Sequence, residues 1–199
     1  MTTPTTTPTI TLVTVTPTPA TAGQSVTLTA TVIPLGTGTP TGTVTFVVTG
    51  GPTLTGTLSG GTTSVTVPAG LSVGAHAVLA NYSGDTTFAP SSGVGAIIVI
   101  PSATTTSVTS SPDPSTVGQS VTFTANVTPI APGSGVPTGT VTFFVGGSGG
   151  GTFVQPLSGG TATLSLSNLD AGTHLVVAHY NGDTSFLPSS GTDTQTVNP

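Results

Sequence analysis

The chain has 199 residues, five Asp, no Glu, no Lys and no Arg, and a formal charge of −5. Two small domains fit that length. Without cations nothing neutralises phosphate, so nucleic-acid binding and the cationic clamps of phosphoryl transfer are excluded; without Cys, so are disulfides and thiolate metal sites.

Charged residues are 3% of the chain, against about 25% in an ordinary domain. Thr, Ser, Gly and Pro take their place. The apolar residues alternate along the chain, which predicts a fold and not disorder. Abundant β-branched residues favour strands over helices. No apolar run is long enough for a membrane-spanning helix. The start, Met1-Thr-Thr-Pro-Thr-Thr-Thr-Pro8, lacks a basic region and an apolar core, so it is not a secretory signal. The expectation is that a signal lies elsewhere, or that the protein is assembled inside a cell.

Residues 1–9 read as an extended Thr/Pro tail. Ile10-Thr-Leu-Val-Thr-Val-Thr16 is a first strand, and residues 17–23 a turn. Residues 24–33 follow as the cleanest period-two run, with Val26, Leu28, Ala30 and Val32 on one face and Ser25, Thr27, Thr29 and Thr31 on the other. One dry face and one wet face is the mark of an antiparallel sheet. Further strands fall at 42–48, 53–58, 62–67, 75–82 and 94–100, divided by Gly and Pro.

The second half repeats the first. Gly118-Gln-Ser-Val-Thr122 answers Gly23-Gln-Ser-Val-Thr27, and Pro137-Thr-Gly-Thr-Val-Thr-Phe143 answers Pro40-Thr-Gly-Thr-Val-Thr-Phe46. Leu157-Ser-Gly-Gly160 answers Leu58-Ser-Gly-Gly61, and Gly172-Thr-His174 answers Gly74-Ala-His76. The longest match runs from Tyr82 to Gly93 and from Tyr180 to Gly191. The pattern predicts an all-β protein of two tandem seven-stranded immunoglobulin-like β-sandwiches. The expected layout is a tail at 1–9, one domain at 10–100, a short linker at 101–106 and a second domain at 107–199. So short a linker predicts a semi-rigid rod. With no Cys pair and no Trp, the antibody type is excluded.

The Gly-Gln-Ser-Val-Thr, Pro-Thr-Gly-Thr-Val-Thr-Phe and Gly-x-His segments, followed by Tyr-x-Gly-Asp-x-x-Phe, resemble the bacterial Ig-like repeat domains. The resemblance covers nearly the whole chain. It implies tandem modules of large bacterial surface or secreted proteins, or of phage virions, acting as spacers, stalks or fibre segments, with some contributing to adhesion.

In each long repeat, Gly84 or Gly182 supplies a positive φ, and Asp85 or Asp183 caps its own turn through an Asx-type hydrogen bond. Both turns are placed near the incoming chain, at the tail and at residues 101–106. Ca²⁺ at these joints is the competing reading, but Ca²⁺ needs about 6–8 oxygens and each joint offers one carboxylate. The aromatic pairs Tyr82 with Phe88, and Tyr180 with Phe186, belong to the edge of the core. His76 and His174 occupy one repeat position, which favours a structural role. His179 falls on the opposite face of the strand from His174, so the two cannot chelate together.

No Gly-x-Ser-x-Gly elbow stands between a strand and a helix, as serine nucleophiles require. The run Gly146-Gly-Ser-Gly-Gly-Gly151 reads as a flexible hairpin tip, since no helix or Lys follows to cradle phosphate. Asn81-Tyr-Ser83 and Asn126-Val-Thr128 fit the glycosylation pattern. Sheet edges without Lys are open to strand addition, and the segment through Thr16 is a candidate donor.

The expected function is a non-catalytic structural one: a subunit or spacer of an extracellular fibre, stalk or surface layer, with no cofactor. The expected partners are neighbouring repeats or other copies of the chain. The alternative is an adhesive module of a surface protein or virion, recognising a glycan or a host surface.

Overall fold

The computed structural model describes residues 6–199. Among them there are sixteen strands and no helix, and no helix is long and apolar enough to cross a membrane. The chain divides into two compact units, Met1–Ile100 and Pro101–Pro199.

In the first unit a three-stranded sheet has the order β1 (Thr9–Thr16), β3 (Val26–Pro34), β6 (Thr62–Val67). A five-stranded sheet has the order β2 (Ala20–Thr21), β8 (Ser91–Ile100), β7 (Gly74–Tyr82), β4 (Thr43–Val48), β5 (Thr53–Thr57). The second unit repeats both. Its small sheet runs β14 (Thr161–Leu166), β11 (Val121–Pro129), β9 (Thr104–Ser111). Its large sheet runs β10 (Ser115–Thr116), β16 (Ser189–Asn198), β15 (Gly172–Tyr180), β12 (Thr140–Val145), β13 (Gly151–Pro156).

Alternation decides which side chains are inside. Val26, Leu28, Ala30 and Val32 of β3 are buried, as are Val44, Phe46 and Val48 of β4 and Val78, Ala80 and Tyr82 of β7. They meet between the sheets in one core, and Val121, Phe123, Ala125, Phe143, Val176 and Tyr180 build its counterpart. Burying each of these Val, Leu and Phe side chains stabilises by about 1.5–3 kcal/mol. The outward Thr and Ser residues pair across strands, as Thr29 with Ser64 at 2.8 Å and Thr122 with Ser165 at 3.0 Å.

The units have eight strands each, where the sequence pattern predicts seven. The first strand leaves the small sheet at Pro17 and Pro19, and Ala20–Thr21 joins the large one, parallel to β8. Two residues carry no readable alternation. Residues 104–106, expected in a linker, begin β9, and Ser102 already pairs with Phe186. The expected tail is likewise shorter: Thr9 opens β1 and Thr7 bridges to Phe88. Its first five residues lie outside those described.

The candidate strand donor is already engaged within its own unit. The segment through Thr16 is β1, paired with β3 from Thr9↔Pro34 to Thr16↔Thr27. Lending it to a neighbour would open its own sandwich. Its other edge is closed against β8. Ser91 Oγ lies 2.7 Å from the hydroxyls of both Thr9 and Thr11, and the Thr9 hydroxyl donates to the Ala89 carbonyl at 2.9 Å. Thr104, Thr106, Ser189 and Leu187 repeat this clasp at 2.7–2.8 Å.

Glycine permits the close approach. A Cβ at Gly93 would strike the Thr11 carbonyl, and one at Gly191 the Thr106 carbonyl. Neither glycine has a positive φ, so the conflict is purely steric. Gly93→Ala and Gly191→Ala should each destabilise their own unit by about 1–3 kcal/mol. Urea denaturation checks this as a lower midpoint for the altered unit.

Candidate functional site

The two long repeats become the loops between β7 and β8 and between β15 and β16. Gly84 (φ 73°) and Gly182 (φ 80°) turn the chain. Oδ1 of Asp85 then accepts the amides of Thr87 and Phe88, both at 2.7 Å. Its Oδ2 accepts the amide of Thr41 at 2.9 Å and the Thr41 hydroxyl at 2.7 Å. Asp183 repeats the set: Ser185 and Phe186 amides at 2.7 and 2.8 Å, Thr138 amide and hydroxyl at 2.9 and 2.6 Å. Each carboxylate thus caps its own turn and ties it to the segment leading into β4 or β12.

All four acceptor positions of each carboxylate are occupied by donors. This chemistry suits a structural knot and leaves no oxygen turned toward a cation. Among the described residues no three acidic, His or Cys side chains gather where a metal could sit.

The Thr41 hydroxyl and then its amide hold the Asp85 carboxyl well below the usual carboxylate range, with the Thr87 and Phe88 amides adding to them. Burial works against the Asp183 charge, but the Thr138 hydroxyl and the Ser185, Thr138 and Phe186 amides outweigh it, and the result is again a lowered value.

The knotted loop grips the incoming chain. The Thr7 amide donates to the Thr87 carbonyl and the Ala89 amide to the Thr7 carbonyl, both at 2.8 Å. Ser102 makes the same pair of bonds with Ser185 and Leu187, both at 2.8 Å. Phe88 and Phe186 are buried, each ring lying under a glycine: a Cβ at Gly38 would come within 2.9 Å of Phe88, and one at Gly135 within 3.2 Å of Phe186.

Tyr82 and Tyr180 lie beneath the knot. Their rings are buried in the core and their hydroxyls have no hydrogen-bond partner. Burial, and then the nearby Asp183 charge, push the Tyr180 phenol up to about 12; Tyr82 is raised for the same reasons beside Asp85.

His76 and His174 lie toward the other end of β7 and β15, buried on the core side. Each ring binds two backbone carbonyls. His179 is half-buried on the outer face, its Nδ1 2.8 Å from the Ser190 hydroxyl. The Gly-rich run 146–151 is tied down at several points. The side chain of Asn168 donates to the Gly149 carbonyl at 3.0 Å, and Gly147 packs against His174. Its glycines serve close approach. The side-chain oxygens of Asn81 and Asn126 accept from Ser92 and Thr161 at 2.8 and 2.9 Å.

Several residues with defined roles escape single-sequence reading. Thr41 and Thr138 supply half of each knot, and their only signal is recurrence within Pro-Thr-Gly. Gln24 and Gln119 accept from the Thr21 and Thr116 amides at 3.0 Å and so close the turn into β3 or β11. Gln195 is fully buried; its amide donates to Pro112, Ser115 and Thr196, and its oxygen has no partner. Ile97 occupies the equivalent place in the first unit, so repetition gives no warning of it.

Residues 13–100 and 108–198 each match the family model for a bacterial Ig-like domain (group 3). No curated protein matches the chain by sequence. Among solved structures, invasin, described as a bacterial integrin-binding protein, is similar at 17% identity and a TM-score of 0.64, over 94% of this chain and 39% of that one. The Yersinia pseudotuberculosis adhesin InvE is 19% identical with a TM-score of 0.47, over 95% of this chain and 59% of its own. The Escherichia coli adhesin FdeC is 16% identical with a TM-score of 0.37, over 96% and 64%. This chain therefore spans about three-fifths of the first of these adhesins and two-fifths of invasin. At such identities the likeness concerns the fold.

Carboxyls with lowered folded-state values hold their stabilisation above the ordinary Asp value and lose it as pH falls through the folded one. The unfolding temperature should therefore drop below about pH 4. In the double variant Asp85→Asn, Asp183→Asn it should start lower and vary less with acid, as calorimetry across pH 7 to 2 would show. The raised phenols act at the other extreme: the folded form keeps a proton that the unfolded chain releases, so stability falls as pH rises above about 10. Tyr82→Phe with Tyr180→Phe should remove that alkaline loss, yet change stability at neutral pH by less than about 1 kcal/mol, because no hydrogen bond is lost.

Proposed function

The chain belongs to the bacterial Ig-like domains, and on that premise we propose that it is a non-catalytic spacer: two repeats of a fibre, stalk or surface layer outside a bacterial cell. One observation supports this most. The polar residues that recur in both units are spent on internal hydrogen bonds, with the same partners each time. Asp85 and Asp183 hold Thr41 and Thr138; His76 and His174 hold backbone carbonyls; Gln24 and Gln119 hold Thr21 and Thr116. What recurs is scaffolding, and its natural partners are neighbouring repeats of the same assembly.

A second reading, an adhesive module, draws on one surface feature. Val47, Leu79 and Val94 are exposed and lie side by side across β4, β7 and β8. Exposed apolar rows of this kind recur at protein contacts. The second unit has Phe144, Val177 and Thr192 there.

Antibodies raised against the purified chain should label intact cells of the bacterium that makes it; labelling only after lysis would sink the surface assignment. The purified chain should show no saturable binding to glycan arrays or host-cell monolayers. Saturable binding abolished by Leu79→Asp would replace the spacer with the adhesive module.

A further inference from the structure

Each unit carries one buried imidazole with both ring nitrogens against backbone oxygens. His76 has Nδ1 2.8 Å from the Thr49 carbonyl and Nε2 2.8 Å from the Ser72 carbonyl. His174 has Nδ1 2.8 Å from the Gly146 carbonyl and Nε2 2.9 Å from the Asp170 carbonyl. The residues are 6% and 3% exposed, so the two carbonyls are the partners the ring nitrogens meet.

A carbonyl oxygen only accepts, and a neutral imidazole has one N–H and one accepting nitrogen. In a neutral ring, one nitrogen lone pair would face an oxygen lone pair at hydrogen-bond distance. Turning the ring over would not help, because Cδ2 and Cε1 would then face the carbonyls.

We infer that His76 and His174 are held in the folded protein as imidazolium cations, each donating two hydrogen bonds and pinning together the loops that follow β4 and precede β7, or follow β12 and precede β15. A buried charge is costly unless it is paired and hydrogen-bonded; here two carbonyl dipoles aimed at two N–H groups supply the hydrogen bonds and the only negative charge density the ring meets. The arrangement does not depend on a carboxylate. Asp170 gives His174 its backbone oxygen, and the equivalent residue in the first unit is Ser72. The residues opposite on the next strand, Ile97 and Gln195, carry no charge. In the second unit glycine shapes the seat, since a Cβ at Gly147 would lie 2.7 Å from Nδ1 of His174; one at Gly50 would meet His76 at an ordinary 3.5 Å. In a chain without Lys or Arg, these two rings are its buried cations.

Long-range ¹H–¹⁵N correlation on protein labelled at histidine reads the protonation of each ring nitrogen. At pH 7, both nitrogens of His76 and His174 should lie in the protonated range, each with a slowly exchanging proton. His179, on the outer face beside Ser190, serves as the internal reference. A neutral tautomer at His76 or His174, with one nitrogen in the unprotonated range, would overturn the inference. His76→Phe keeps a ring and removes both donors. It should speed amide exchange in residues 49–51 and 69–73 at least tenfold and leave the second unit unchanged. Unaltered exchange there would overturn the pinning. Should that variant not fold, the wild-type spectrum decides alone.

Discussion

Two carboxylates, each satisfied by four donors, set the terms for the rest of this protein. A sandwich of short strands leaves its loops and its incoming chain to be fastened by something other than the core. Asp85 and Asp183 do this by capping one loop and reaching to a second. The capped loop then offers its backbone to Thr7 or Ser102. Because the donors are mostly backbone amides, the knot needs no cation. That is how it survives in a chain that has neither Lys nor Arg.

The same economy runs through the surface. Threonine is β-branched, so it favours the extended backbone while presenting a hydroxyl. Here the hydroxyls pair across strands, close the gap between β1 and β8 and complete the Asp knots. Serine and threonine thus do the work that ion pairs do elsewhere, without long side chains to order. Screening by salt touches these contacts little, since few of them involve net charge.

Much of this was legible in the residues. Period-two alternation marks strands with a dry and a wet face, as β3 shows most plainly; β9 and β16, with one Val each, are marked by the duplication instead. The duplication marks the two units and the Asp turns. Other features were hidden for physical reasons. Ala20–Thr21 is too short to alternate. Residues 104–106 look like linker because all three are Thr, yet Thr104 and Thr106 turn inward to Ser189. Thr41 and Thr49, the distant partners of Asp85 and His76, lie 44 and 27 residues away, and no local pattern encodes such distances. Gln195 has no counterpart in the first unit, so repetition could not expose it.

The parallel placement of β2 beside β8 bears on how each unit carries load. The chain comes in beside the start of β8 and departs from its far end, so tension drawn along the backbone pulls the first and last strands past one another. The bonds between them, together with the hydroxyl clasp, are then loaded side by side in shear and must give way together. Strands pulled from a hairpin end would instead unzip one bond at a time. Resistance to pulling is a matter of unfolding rate, and this geometry raises the force needed at the first step without a single covalent cross-link.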